Sequence, residues 1–276
     1  MPLSALLYKK QIKPLSMDKI FLQGIKYDEK SSFMQGAKLA PRLIRQINGN
    51  GSSNSFAENG VDTKDSRIID QGDFDIEGYF DIEQVTRKHL QEGARILTLG
   101  GDHSITFPIL KAYSDFHPAI DILQIDAHGD LYDEFEGDKY SHACPFARIM
   151  EGGFAAHLTQ VGIRTLTQHQ REQAERFQVD VHEMQDLDLS HLTAFETPLY
   201  ISLDMDAFDP AFAPGVSHHE PGGLTAREVI DLIAGLPANV IGADIVEFNP
   251  KRDVNDLTAA LAAKMMREIL AKMLES

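Results

Sequence analysis

The sequence predicts an α/β fold in three layers, with helices on both faces of a mostly parallel central sheet. Two observations carry this expectation. Runs at 95–99, 120–125, 158–163, 199–203 and 239–246 are apolar almost throughout, as strands covered on both faces are, and segments of helical spacing separate them. Acids and histidines cluster directly after several of these runs, and open α/β sheets bind their ligands beyond the carboxyl ends of the strands.

Taken in order, residues 1–16 read as a tail ahead of a single domain at 17–276. A first strand falls at 19–25. Ala40-Pro41 opens a short helix at 42–47, proline being suited to a first turn whose N–H needs no helical partner. From 48 to 63 the composition turns to Gly, Ser and Asn, the mark of a flexible surface loop. Helical spacing follows at 82–90, then a strand at 95–99 and a helix at 105–113 that carries Pro108 in its early turns. After the strand at 120–125 come a helix at 143–151, ended by Gly152-Gly153, a strand at 158–163 and a polar-faced helix at 168–177. The strand at 199–203 precedes a helix at 225–236, whose Thr225-x-x-Glu228 has the form of a capping box. A strand at 239–246 and an amphipathic helix at 257–274 close the chain.

With 42 acids against 26 bases the chain carries a formal charge of −16, which disfavours nucleic acid and anionic membrane as partners and suits a small cation. No apolar run approaches the roughly 20 residues that span a bilayer. The brief apolar patch at 3–7 precedes its lysines, the reverse of a secretory signal. The single cysteine, Cys144, excludes an intrachain disulfide, and the protein reads as cytoplasmic. Cys144 itself reads as a small buried residue and not as a nucleophile served by His142.

The chemistry centres on Asp126-Ala127-His128-Gly129-Asp130, directly after a buried strand. Alternation along an extended chain puts positions 126, 128 and 130 on one side, so two carboxylates and an imidazole converge. His103 follows the strand at 95–99, Asp204 and Asp206 follow the strand at 199–203, and Glu247 follows the last one. Four aspartates gathered at one sheet edge repel each other unless cations sit among them. Six ligands, His103, Asp126, His128, Asp130, Asp204 and Asp206, suit a pair of ions, which can hold and acidify one water. Four carboxylates and no thiolate favour Mn²⁺ or Mg²⁺, and the two imidazoles tilt the choice towards Mn²⁺, with Zn²⁺, Fe²⁺, Co²⁺ and Ni²⁺ as alternatives. Glu247 adds an anion at the same rim; left unpaired it would suit a guanidinium or amidinium held through two parallel hydrogen bonds, the alternative being an ion pair with Lys251 or Arg252.

Gly100-Gly-Asp-His-Ser-Ile-Thr106, Asp126-Ala-His-Gly-Asp130 and Ser202-Leu-Asp-Met-Asp-Ala-Phe-Asp-Pro210 resemble the three signatures of the ureohydrolases, in the right order and spacing. That family comprises arginases, agmatinases, guanidinobutyrases and formiminoglutamases. The resemblance implies an arginase-like α/β/α fold and two Mn²⁺ ions held by the six residues named, with Asp126 and Asp204 as bridges. It implies a metal-bound hydroxide that attacks the guanidinium carbon, with Asp130 as proton relay, His142 as proton shuttle and Glu247 orienting the guanidinium. Urea and an amine would leave. It also implies a homo-trimer or homo-hexamer, for which residues 1–16 and the C-terminal helix are candidates by position.

The signatures do not choose the substrate. Tyr132 stands where animal-type arginases carry an Asn that helps hold the α-carboxylate. Ser141-His-Ala-Cys-Pro-Phe146, Gly215-Val-Ser-His-His-Glu-Pro-Gly-Gly-Leu224 and Val246-Glu-Phe-Asn-Pro250 are similar to plant-type arginases. His218 and His219 replace the Thr-Pro pair usual in agmatinases, and with Tyr132 they are candidate substrate contacts. Arginine stands slightly ahead of agmatine, with Arg148 or Arg164 as candidates to read a carboxylate. Guanidino acids, guanidine and a formimino substrate remain alternatives. So do a deacetylase-like amidase with one Zn²⁺ and a non-enzymatic binding or scaffold member of the fold whose metals are structural.

Overall fold

Each near-apolar run forms a strand of a single sheet. A computed structural model describes residues 19–189 and 195–276, so the tail expected at 1–16 lies outside the described residues. In chain order the elements are β1 (Lys19–Lys26), α1 (Ala40–Gly49), β2 (Ile68–Asp75), α2 (Asp81–Gln91), β3 (Ala94–Leu99), α3 (Thr106–Tyr113), β4 (Asp121–Ile125), α4 (Pro145–Glu151), β5 (His157–Ile163), α5 (Gln168–Phe177), β6 (Asp180–Glu183), β7 (Leu199–Asp204), α6 (Ala226–Gly235), β8 (Val240–Val246) and α7 (Leu257–Glu275). The eight strands lie in the order β2-β1-β3-β8-β7-β4-β5-β6, and every pair among the described residues is parallel.

The four central strands, β3, β8, β7 and β4, are buried at every residue, as a sheet covered on both faces requires. One face packs on α1, α6 and α7 through Ile44, Ile233, Met266 and Ile269. The other packs on α2, α3, α4 and α5 through Ile82, Leu110, Phe146 and Ala174. Two strands were not expected from the sequence. β2 and β6 are the outermost strands, half exposed, and their acid-rich runs carry no continuous apolar signal.

The Gly/Ser/Asn segment at 48–63, expected to be a flexible loop, is tied down onto the helical layer. Glu58 pairs with Arg227 and Lys264, Asn59 donates to Glu275, and Arg267 reaches back to Asn48. α7 buries most of its length inside the protomer, which leaves little of it for an oligomer contact. No helix among the described residues is long and apolar enough to cross a membrane.

This topology positions the site. In register, Leu99 of β3 and Leu203 of β7 both pair with Ile245 of β8, and Ile125 of β4 pairs with Leu203. The four central strands therefore end level with one another, and the residues that follow them meet at one edge.

Candidate metal centre and its cleft

All six expected ligands meet beyond the ends of β3, β7 and β4. His103 opens a 3-10 turn after β3. That turn passes so close to β1's exit that a Cβ on Gly101 would lie 1.6 Å from the Tyr27 carbonyl, so only glycine fits there. His103 Nδ1 stands 3.1 Å from Oδ2 of each of Asp126, Asp130 and Asp204. His128 Nδ1 stands 3.1 Å from Asp206 Oδ2 and 3.6 Å from Asp126 Oδ1. Two groups thus have ligand geometry, His103–Asp126–Asp130 and Asp126–His128–Asp206, and Asp126 belongs to both. Asp204 turns Oδ2 to His103, while its Oδ1 accepts from the Asp206 N–H at 2.7 Å.

The partners of these ligands show what the cluster fits. Ser202 Oγ donates to Asp244 Oδ1 at 2.7 Å, because a carboxylate only accepts. Ser202 must then accept from His103 Nε2–H, 2.9 Å away. Nε2–H being satisfied, His103 turns Nδ1 to three carboxylate oxygens, and that buried atom has no aligned hydrogen-bond partner. A lone pair facing three acidic oxygens is a place for a cation. Asp244 is in turn fixed by Thr106 Oγ1 and Tyr200 Oη. Gln124 donates to Asp126 Oδ2 at 2.7 Å, and Gln160 Nε2 donates to Gln124 Oε1. Such outer partners orient metal ligands and set their basicity.

The charges agree. Burial alone would lower the His103 and His128 pKa values, but the surrounding carboxylates outweigh it and hold both well above the usual range. Burial, with repulsion from Asp206 and Asp126, holds the Asp204 carboxyl well above its usual range; burial and Asp126 raise Asp130. Asp126 is pulled the other way, the two imidazoles overcoming its burial. Without cations, then, this cluster retains protons. A metal must displace them, so uptake is expected to release protons, and affinity should fall as pH falls. Calorimetry of Mn²⁺ binding in buffers of different ionisation enthalpy measures the released protons. A proton count of zero would contradict this reading.

The cluster floors a cleft of about 220 Å³ that Ser32, Tyr132, Phe135, His142, Thr165, Gln170, His218 and Glu247 help to line. Glu247 Oε1 accepts from His103 N–H at 2.8 Å and from His142 Nδ1–H at 2.9 Å. His142 Nε2 meets Ser32 Oγ at 2.8 Å. Burial would lower the His142 pKa, but the Glu247 charge, with Asp102 and Asp130 beyond it, lifts it to about 9. Asp130 and Glu247 both hold left-handed backbone, φ 48° and 61°, a strain found at sites whose surroundings enforce it.

The structure separates the remaining candidates. His218 lines the cleft, its ring 5.4 Å from that of His142 and 5.8 Å from that of His128. His219 faces away and bonds the Pro214 carbonyl at 2.7 Å, holding its own loop. Tyr132 lines the cleft and stacks on His169 at 5.7 Å. Arg148 and Arg164 do not line it. Arg164 donates to the carbonyls of Gly162, Asp206, Ala207 and Glu220; Arg148 donates to Asp133 and Lys139 carbonyls and pairs with Glu151. Cys144 is fully buried with its thiol pushed up to about 12, so it is no nucleophile. Gln124, Ser202 and Asp244 were missed by the sequence reading, although each is a polar residue inside an otherwise apolar strand, and that was the available signal.

A family model described as "Arginase family" matches residues 18–271. The chain is similar to "Arginase 1, mitochondrial" of Arabidopsis thaliana, 47% identical over an alignment of 273 positions that covers 91% of this chain and 80% of that one. To "Agmatinase" of Bacillus anthracis it is 30% identical over an alignment of 264 positions that covers 91% of this chain and 90% of that one. Among solved structures, arginase from Medicago truncatula superposes with a TM-score of 0.86 at 42% identity, covering 92% of this chain and 87% of that one.

Proposed function

From the chain's membership of the arginase family, which makes it a hydrolase of guanidino carbon–nitrogen bonds, we propose that its substrate is arginine, cleaved to ornithine and urea. The observation that carries arginine ahead of agmatine is the likeness to a plant arginase at 47% identity, against 30% to an agmatinase. The cleft is compatible with it. Its outer wall offers Ser32, Tyr132, Thr165 and Gln170, neutral groups able to donate to an α-carboxylate, in place of the arginines expected from the sequence.

Two Mn²⁺ ions would be held by His103, Asp126, Asp130 and Asp204 on one side and by Asp126, His128, Asp204 and Asp206 on the other. Bound there, they would supply Lewis-acid activation of a water near neutral pH. The chain's own groups do the rest. Glu247 orients the guanidinium. Because its Oε1 already serves His103 and His142, Oε2 is the oxygen left for the substrate, one strong contact in place of the symmetric pair expected from sequence. Asp130, which lines the cleft, takes the proton of the attacking water and passes it to the departing nitrogen. His142 holds a proton with which the freed amine becomes an ammonium. His218, held neutral by burial and the neighbouring His142, walls the cleft beside it.

The protein would assemble as a homo-trimer or homo-hexamer and work in the cytoplasm. A buried, unpaired Cys144 is compatible with a reducing compartment, while the plant relative quoted above carries a mitochondrial name. The test is a urea assay on arginine, agmatine, guanidinobutyrate, guanidine and formiminoglutamate with Mn²⁺-loaded protein. The highest kcat/KM is expected for arginine. Preference for agmatine would overturn the substrate, and formamide as the sole product would overturn the guanidino chemistry.

A further inference from the structure

Both ring nitrogens of His142 are engaged by the protein. Nδ1 donates to Glu247 Oε1 at 2.9 Å, and Nε2 lies 2.8 Å from Ser32 Oγ. Any proton that His142 gives to the cleft through Nε2 therefore meets the Ser32 hydroxyl first. Ser32 and His142 line the same cleft as the ligand cluster, and Ser32 is exposed where His142 is 8% exposed. Resting on the guanidino-hydrolase reading above, we propose that Ser32 is a further catalytic residue, the outer member of a Ser32–His142–Glu247 relay that protonates the departing amine.

The position of Ser32 is built, not incidental. It lies in the loop between β1 and α1, and that loop is pinned on both sides of it. Before it, the fully buried Asp102 accepts from Lys30 N–H at 3.0 Å and from Ser31 Oγ at 3.3 Å. His142 N–H itself donates to the Lys30 carbonyl at 3.2 Å, and Lys30 Nζ pairs with Asp138 at 2.6 Å. After it, the Met34 carbonyl accepts from Asn249 Nδ2 at 2.7 Å and from Ser217 Oγ at 2.9 Å. The imidazole and the hydroxyl that caps it are thus fixed to each other through main chain as well as side chain.

The step balances. In the imidazolium, Nδ1–H points to Glu247 and Nε2–H to Ser32 Oγ. As the neutral amine accepts the Ser32 hydroxyl proton, the Oγ–H bond breaks and an N–H bond forms. The Nε2 proton moves to Oγ in the same event, restoring the hydroxyl. His142 ends neutral with Ser32 donating to Nε2, and the product leaves as an ammonium that cannot re-attack. Solvent at the cleft mouth returns the proton.

Three variants test this. Ser32→Ala, at an exposed position, should fold as wild type by thermal melting, lower kcat by about 10–100-fold and leave KM within about twofold, since general-acid groups contribute at this scale or above. Ser32→Thr, which keeps the hydroxyl, should restore most of kcat. In a His142→Asn background, Ser32→Ala should cost nothing more, because groups acting in one relay are not additive. An unchanged kcat in Ser32→Ala, a Thr variant as impaired as the Ala variant, or full additivity with His142→Asn would each overturn the relay. Absence of urea release by the wild type from any guanidino compound would instead sink the reading on which it rests.

Discussion

Asp126→Ala should lose bound divalent metal and turnover together while remaining folded. The structure makes Asp126 the one carboxylate common to both ligand groups, with Oδ2 beside His103 and Oδ1 beside His128. Its removal cannot be confined to one ion. It also removes the acceptor of two donors that hold the β4 turn in shape: Gln124 Nε2, which keeps only the His128 carbonyl, and the part-buried His128 N–H. Loss of an outer partner of a metal ligand costs roughly 10–100-fold in affinity, and loss of a shared ligand should exceed that. Asp126→Asn keeps the volume and one acceptor, and should fail as badly, because the negative charge is what the cations need. His142→Ala is the contrast: metal content unchanged, and kcat lower by about 10²–10⁴-fold, the usual weight of a proton-transfer group. Metal analysis after dialysis reads both. Equal metal content in the Asp126 and His142 variants would show that Asp126 does not tie the two groups together.

Glu247→Gln should be severely damaging although it lies outside the ligand set. The amide oxygen can still accept from His103 N–H, so the turns after β3 and β8 should remain joined. What disappears is the charge that faces both His142 and a cationic substrate. Losing one partner of a buried charged pair costs about 2–5 kcal/mol, between about thirtyfold and several thousandfold in kcat/KM. The variant also has a signature apart from turnover. In the parent, Glu247 holds the His142 pKa up at about 9 against the effect of burial. Without that charge burial prevails, and the pKa should fall towards or below its ordinary value of about 6.5. His142 would then be charged only in acid, where before it was charged through neutral pH. NMR titration of the metal-free His142 ring follows this directly, and an unmoved pKa would dissociate the two residues.

The fold was legible in the sequence where burial leaves a strong trace. Strands covered on both faces must be apolar almost throughout, so β3, β4, β5, β7 and β8 announce themselves, and the chemistry follows their carboxyl ends because parallel strands all point there. β2 and β6 left no such trace, since an edge strand can be acidic and half exposed. The six metal-ligand candidates were legible for the same positional reason. Their supports were not: Gln124, Ser202 and Asp244 lie on separate strands, and only the register of β4, β7 and β8 brings them behind the ligands. Nor was the place of the arginines. Composition says that Arg164 is a cation, but only the fold shows its guanidinium consumed by five carbonyls, that of Phe208 included. His218 and His219 are adjacent in sequence, yet one faces the cleft and the other its own loop.

Two cations at the Asp126-centred cluster should make this chain a guanidino hydrolase. The most direct measurement is a titration of chelator-stripped protein with Mn²⁺, following bound metal and urea release from arginine in the same samples. Activity should be absent at the start and should reach its plateau as metal content approaches two ions per chain. Full activity in the stripped protein, or saturation of both signals at a single ion, would contradict it.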